Sequence, residues 1–183
     1  MEKVILNATP REVGKTASAA ERRKGLVPCV LYANGVAPVY FSVTEINLKP
    51  LIFTNKKAIA YVEVDGKGYD CIIKQLDNHP TTDRPIHVDF QALIPGSKIR
   101  TSVPLHTTGT PKGVVAGGAL KKVIFKVNVE CDPADLPTYI PVDVSHLEIG
   151  KDIRVRELNV PGITFLTDAS QSIAKVVTKR AGR

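Results

Sequence analysis

The sequence predicts a mainly β protein with two domains, and three observations support this fold class. Short apolar runs, several of them alternating with period two, recur along the chain of 183 residues. Helix-like patterns are confined to two short segments of the first half. Prolines interrupt nearly every element after residue 96, which disfavours helices there. We place the boundary at Ile94-Pro95-Gly96, which gives domains of residues 1–95 and 96–183.

The first domain contains six segments with strand character: 4–6, 27–32, 39–43, 58–64, 68–74 and 87–93. Asp65-Gly66 predicts a tight hairpin between the fourth and fifth segments. A short helix is expected at 17–24, with Thr16 or Ser18 as its cap and Gly25 as its stop. Another is expected within 47–53, where Pro50 fits only a first turn. These elements indicate a six-stranded β-barrel with short helices.

The second domain is expected to be all β. Its strand-like segments are 99–106, 123–130, 139–144, 162–166 and 172–177. Residues 109–118 are rich in glycine, but they lack the residue order of a phosphate loop and of a dinucleotide-binding turn. We therefore interpret residues 109–118 as a long mobile hairpin loop, and a contact with another surface remains open.

The charge distribution favours a polyanionic partner. The net charge is +7, made up of +2 in residues 1–95 and +5 in residues 96–183. Cations of the first half cluster in residues 11–24, which hold Arg11, Lys15, Arg22, Arg23 and Lys24 against two glutamates. This small-residue segment runs directly into a strand, an arrangement that suits a phosphate backbone better than a buried pocket. Solubility alone is the alternative explanation of the charge.

The sequence indicates a cytoplasmic protein without a membrane partner. The N-terminus lacks the apolar run of a signal peptide, and no segment approaches the roughly 20 apolar residues of a membrane span. Cys29, Cys71 and Cys131 are odd in number and each falls in a strand-like run. They are interpreted as reduced cysteines of the core.

Histidine and aspartate mark a possible recognition surface. His87 and Asp89 lie two residues apart on a predicted strand and so share one face, and His79 lies upstream. These three could bind a metal, form an exposed polar face, or contact base edges and riboses of RNA; the last fits best. Tyr32 ends the strand after the basic segment, as a core aromatic or as a surface residue. Aromatics make up only 5% of the chain, which favours a structured RNA over stacked single strands.

No motif supports catalysis. A nucleophile elbow is absent, and four histidines scattered along the chain define no triad. We therefore expect no enzyme, no cofactor, no metal and no small-molecule substrate. A metal-dependent hydrolase that uses His79, His87 and Asp89 is the enzymatic alternative.

These motifs together resemble a known family. In order they are Arg11, Gly14-Lys15, Arg22-Arg23, the VPxVLY segment of residues 27–32, His79-Pro80, and the HVDF segment of residues 87–90. They are similar to the bacterial 5S-rRNA-binding ribosomal protein 25 of the large subunit, in its long two-domain form, also called the general stress protein CTC. The likeness covers essentially the whole chain and is most specific in residues 1–95.

The resemblance implies an N-terminal β-barrel, similar to the anticodon-binding domains of glutaminyl-tRNA synthetase, that binds the loop E region of 5S rRNA. Its RNA-binding positions would be Arg11, Lys15, Ser18, Arg22, Tyr32, His79, His87 and Asp89. The protein would be cytoplasmic and ribosomal, with neighbouring large-subunit components as further partners. An RNA-binding stress factor acting off the ribosome is the alternative. Ala19-Ala20 stand where the family often has two arginines, which puts single contacts of that segment in doubt.

Overall fold

A computed structural model describes residues 3–33, 35–64 and 66–178. Asn34, Asp65 and the C-terminal cations Lys179, Arg180 and Arg183 lie outside the described residues. The chain divides between Ser97 and Lys98 into two compact units, which we call unit 1 and unit 2. Every strand of unit 1 pairs within unit 1, and every strand of unit 2 pairs within unit 2.

Unit 1 is one curled sheet with two short helices. Its elements are β1 Lys3–Asn7, β2 Thr9–Pro10, α1 Lys15–Arg23, β3 Leu26–Ala33, β4 Val36–Thr44, α2 Glu45–Ile52, β5 Ile59–Val64, β6 Lys67–Asn78 and β7 Pro85–Ala92. The strand order is β1-β5-β6-β7-β3-β4-β2. The expected hairpin is confirmed, since β5 and β6 pair antiparallel up to Val64 and Lys67.

The two ends of the sheet are formed by one stretch of chain. Strand β1 pairs with β5, while β2 pairs with β4, and only Ala8 separates β1 from β2. The sheet therefore curls, and residues 3–10 connect β5 near one end of the sheet with β4 near the other. Seven paired strands are present where six were predicted, because the polar two-residue strand β2 carries no alternation of its own.

Alternating side chains fill the interior of unit 1. Leu31 on β3, Phe41 on β4 and Phe90 on β7 are almost fully buried, and the two phenylalanine rings lie 5.8 Å apart. Cys29 and Cys71 are free thiols in the same core. This confirms their interpretation as core cysteines, and burial raises the pKa of both thiols far above its ordinary value.

Both helices of unit 1 differ in detail from the prediction. Helix α1 begins at Lys15 rather than at residue 17, and its N-cap is Gly14, at φ 146°, without a side-chain cap. Glycine permits this backbone conformation, which carries the chain out of β2 and into the helix. In α2, Pro50 lies inside the helix and not in its first turn. The helix ends two residues later, at Ile52, so few backbone bonds are lost.

Unit 2 contains two smaller sheets. Its elements are β8 Ile99–Thr108, α3 Lys112–Val115, β9 Gly118–Lys122, β10 Lys126–Cys131, β11 Ile140–Asp143, β12 Asp152–Arg154, β13 Ile163–Phe165 and β14 Ser172–Thr178, with 3-10 turns at Pro133–Asp135 and Val155–Glu157. One sheet has the order β11-β8-β10-β13 and the other β12-β14-β9. A mainly β protein with few helices and a second β unit is thus confirmed.

The glycine-rich segment 109–118 is not the long hairpin loop that the sequence predicted. It contains helix α3 and the first residue of β9, and β8 and β9 belong to different sheets. Gly113 and Gly118 are buried, and a Cβ at Gly113 would lie 2.6 Å from the backbone nitrogen of Ile149. Gly113 and Gly118 serve close packing, which a sequence pattern does not distinguish from flexibility.

Candidate nucleic-acid interface

Strand β7 presents three polar side chains on the outer side of the curled sheet. Val88 and Phe90 are fully buried, and successive side chains alternate between the two sides of a strand. His87, Asp89 and Gln91 therefore point away from the core, and all three are partly exposed. We call the outward side chains of β7, β3 and β4, together with Arg11 and helix α1, the outer face.

His87 and Asp89 form one unit on this face. His87 Nδ1 lies 2.8 Å from Asp89 Oδ1, and the two side chains are 29% and 27% exposed. A carboxylate accepts only, so the contact places the donated proton on Nδ1. The Nε2 atom of His87 then acts as an acceptor in the neutral ring and as a donor in the charged ring. The pair offers both hydrogen-bonding roles at the surface.

Neighbouring strands continue the outer face across the sheet. Val30 on β3 pairs with Asp89 on β7, and Tyr40 on β4 pairs with Val30. Tyr32 pairs with Gln91 two residues further along. Partial burial, followed by the negative charge of Asp89, raises the pKa of the Tyr32 hydroxyl. Tyr32 is thus a partly exposed residue of the outer face and remains a neutral hydrogen-bond donor and acceptor.

Arg11 follows β2 directly. It continues the row of side chains that Val30 and Tyr40 form on the outer face. Its backbone nitrogen donates to the Tyr40 carbonyl at 3.2 Å, and its guanidinium carbon lies 5.6 Å from the centre of the Tyr40 ring. Arg11 Nη1 donates to Ser18 Oγ and to the Glu12 carbonyl, both at 3.2 Å. The guanidinium is therefore positioned by the protein itself, through an aromatic ring and two acceptors.

Helix α1 is tied to the outer face by side chains near both of its ends. Ser18 accepts from Arg11 and donates to the Gly14 carbonyl at 2.9 Å. Arg22 Nε donates to the Ile86 carbonyl at 3.1 Å, directly before His87 on β7. Arg22 is exposed, and this bond uses one of the five donors of a guanidinium. These contacts bring Arg11, Ser18, Arg22 and His87 into one region.

Lys15 and His79 lie at the ends of elements. Lys15 is the exposed first residue of α1. His79 follows β6 directly and is exposed, with its Nδ1 3.0 Å from the Thr81 hydroxyl. Backbone bonds of His79 to Arg84 and Asp83 close the turn between β6 and β7. This places His79 beyond the end of the sheet at which β7 begins, the end nearer to His87.

The metal alternative receives no support within residues 3–33, 35–64 and 66–178. No group of three or more histidine, cysteine, aspartate or glutamate side chains there could hold a metal ion. The Nδ1 atom of His79 contacts Thr81, whereas His87 and Asp89 contact each other. In the same part of the chain, no helix has both the length and the apolar character that crossing a membrane requires.

The outer face contains two candidate residues that the sequence analysis did not name. Tyr40 supports the Arg11 guanidinium, and Gln91 lies beside Tyr32 with its Oε1 buried and without a hydrogen-bond partner in the described part of the protein. The alternation of β7 places Gln91 on the face of His87 and Asp89, so its signal was present in the sequence. Tyr40 could be found only from the pairing of β4 with β3 and with the chain after β2.

Comparison with known proteins adds independent information. Residues 6–90 match the Ribosomal L25p family, and residues 98–180 match the family described as ribosomal protein TL5, C-terminal domain. A large ribosomal subunit protein bL25 from Carboxydothermus hydrogenoformans is 38% identical over 98% of this chain and 91% of its own length. Its counterparts from Christiangramia forsetii and Porphyromonas gingivalis are each 35% identical, covering 98% and 100% of this chain and 83% and 96% of their own lengths.

Proposed function

The chain belongs to the bL25 family of large ribosomal subunit proteins, and from this premise we propose that its outer face binds the loop E region of 5S rRNA. The protein is a structural component of the ribosome in the cytoplasm and not an enzyme. The proposal concerns the RNA and the residues that contact it. Neighbouring components of the large subunit are the further partners that we propose.

One observation carries the proposal. The basic helix α1 and the polar strand β7 belong to the same outer face, because Arg22 of the helix is hydrogen-bonded at Ile86, next to His87. Cations and neutral or acidic recognition groups are therefore adjacent. Protein–RNA interfaces need both, since phosphate contacts supply affinity and position while base contacts supply selectivity.

The cations of the outer face are suited to phosphates. Arg11 is held in place by Tyr40 and Ser18 before any RNA binds, so little side-chain entropy is lost on binding. Lys15 and Arg22 are exposed on α1 and can approach the strand on either side of a groove. Each phosphate that they neutralise releases counterions, which makes the affinity depend on salt.

The groups on β7 are suited to a minor groove. The groove of an RNA helix displays 2′-hydroxyls and base edges, and guanine presents an amino donor there. Asp89 is an acceptor whose orientation is set by His87, and Tyr32 adds a neutral hydroxyl beside it. A carboxylate repels phosphates, so its place among cations fits contact with bases or riboses better than contact with the backbone. His79 would contact the RNA at the start of β7.

The test compares 5S rRNA with a 5S rRNA whose loop E is replaced by regular base pairs. Full-length protein should prefer natural 5S rRNA at every salt concentration. Arg11→Ala with Lys15→Ala should weaken binding and reduce the slope of log affinity against log salt by about two units. Binding is measured by filter retention or anisotropy, and circular dichroism reports on the fold.

The matched control is Lys49→Ala with Lys56→Ala, which removes the same charge from exposed positions of unit 1 outside the outer face. It should lower the slope by much less than the pair on the outer face. Equal slopes for both double variants would assign the effect to net charge and would contradict the site. Equal affinity for natural and altered loop E would contradict the RNA target.

A further inference from the structure

Unit 2 exposes a pair of lysines on the sheet β12-β14-β9. Lys175 on β14 and Lys121 on β9 are paired across the two strands, and both are exposed. Cβ atoms of directly paired residues lie about 4.5–5.5 Å apart, so the two ammonium groups extend from neighbouring points of one face. Their neighbours Ala174 and Val176 on β14 are fully buried, which places the lysines on the side opposite the core.

Neither lysine forms an ion pair with a carboxylate in the described part of unit 2. Asp152 on β12 pairs with Lys175 in register, but its Oδ2 lies 3.1 Å from Arg154 Nε. Within residues 98–178, no carboxylate oxygen lies within 4.0 Å of the ammonium nitrogen of Lys121 or Lys175. Like charges directly opposite on a sheet are destabilising. An anionic partner bound across the two strands would remove this repulsion.

One of the two lysines borders a concave surface. Lys175 lines a groove of about 510 Å³ whose wall is apolar at Val123, Ile149 and Val177 and polar at Asp152, Ser172 and Thr178. The apolar part of the wall reduces access of water to the ammonium group and so strengthens its attraction for an anion, while the Asp152 carboxylate is held by Arg154. A polyanionic chain can lie along the groove, with its phosphates next to the Lys175 ammonium group.

We propose that the face of Lys121 and Lys175 binds the phosphate backbone of ribosomal RNA, as a second RNA contact separate from the outer face of unit 1. Membership of the large subunit makes rRNA the abundant polyanion around the protein. Because the paired lysines offer no base-specific acceptor, the contact is with the backbone and not with sequence.

The experiment uses the full chain with Arg11→Ala and Lys15→Ala as background, so that binding through unit 1 contributes little. The probe is a 20-base-pair RNA hairpin without loop E, titrated at several salt concentrations. Addition of Lys121→Gln and Lys175→Gln should reduce the slope of log affinity against log salt by about two units. Lys121→Arg with Lys175→Arg should retain the slope, because the charge is kept.

The matched control is Lys98→Gln with Lys112→Gln, which removes two exposed lysines elsewhere on unit 2. It should change the slope by less than half as much. Equal effects of the two glutamine pairs would overturn the proposal, and so would an unchanged slope for Lys121→Gln with Lys175→Gln. A loss of incorporation into large subunits without any change in RNA binding would also overturn it, in favour of an acidic protein surface.

Thermal unfolding without RNA provides a second readout. Removal of one of two paired like charges should leave Tm equal or raise it in Lys175→Gln, because repulsion is relieved. A lower Tm would show that the two lysines do not repel each other and would overturn the electrostatic argument for this site. Neither result depends on whether unit 1 recognises loop E, so failure of one proposal leaves the other testable.

Discussion

At the scale of residues, the contact of His87 with Asp89 joins two partly exposed side chains into one recognition element. A free carboxylate on an exposed strand samples several rotamers, and its ordering on binding costs entropy. The 2.8 Å contact to His87 Nδ1 selects one arrangement before any partner arrives. The orientation of the Arg11 guanidinium is fixed in the same way, by its contacts with Ser18 and Tyr40.

Replacement of His87 by alanine should weaken 5S rRNA binding by about 1–3 kcal/mol, the usual cost of a lost base contact. The slope of log affinity against log salt should stay unchanged, because His87→Ala removes no lysine or arginine. Isothermal titration at several salt concentrations measures both quantities.

The control for His87 is His146→Ala, which removes an exposed histidine of unit 2. It should alter binding less than His87→Ala does. Loss of the folded state in His87→Ala, detected by circular dichroism, would instead indicate that the histidine stabilises the sheet and would contradict a recognition role.

At the scale of elements, helix α3 shows how glycine can serve packing. Gly113 lies within the helix and is buried, and the Ile149 backbone nitrogen occupies the space next to its Cα. A Cβ at Gly118 would lie 2.7 Å from the Gly113 carbonyl oxygen, so the helix and β9 also approach closely. Residues 109–118 thus form a packed connection between the two sheets of unit 2.

Gly113→Ala should lower the free energy of unfolding by about 1–3 kcal/mol, as overpacking against backbone atoms typically does. Backbone atoms cannot rotate away, so the helix or the Ile149 segment has to shift. Urea denaturation followed by circular dichroism measures the change.

Val115→Ala is the comparison, because Val115 is 79% exposed in the same helix and its truncation should change stability by less than about 0.5 kcal/mol. A tolerated Gly113→Ala, with stability equal to that of Val115→Ala, would support the mobile loop that the sequence predicted.

At the scale of the whole molecule, the two units share no strand pairing. The curled sheet of unit 1 contains only strands before residue 93, and both sheets of unit 2 begin after residue 98. Each unit also has buried apolar residues of its own, such as Phe90 in unit 1 and Val129 in unit 2. We propose that the domain boundary of the sequence analysis separates two independently folding domains.

A chain that ends at Ser97 should therefore fold by itself and should keep the preference for natural 5S rRNA over 5S rRNA with a regular loop E. The reason is that all proposed loop E contacts and every strand pairing of the seven-stranded sheet lie within it. Scanning calorimetry should show one cooperative transition. An unfolded product would show that unit 1 needs unit 2, and loss of that preference in a folded product would assign part of the loop E recognition to residues 98–183.

Local sequence patterns were sufficient to predict most of the strands of this protein. Period-two alternation and the turn residues indicated eleven strand segments, and the basic segment before the VPxVLY strand indicated the face that we propose for RNA binding, because both signals depend on neighbours in the chain. Strands β2, β9 and β12 were missed. Strand β2 has only two residues and pairs with β4, while β9 and β12, with the short sequences GALKK and DIR, become strands by pairing with β14.

Only the tertiary structure decided how distant residues meet. Curling of the sheet brings Arg11 over Tyr40, and packing of α1 brings Arg22 to Ile86, 64 residues further along the chain. The packed role of Gly113 and the opposed lysines Lys121 and Lys175 were equally invisible in the sequence. The physical reason is that sequence periodicity records which side of an element is buried, whereas the register between strands and the choice of packing partner arise from long-range contacts.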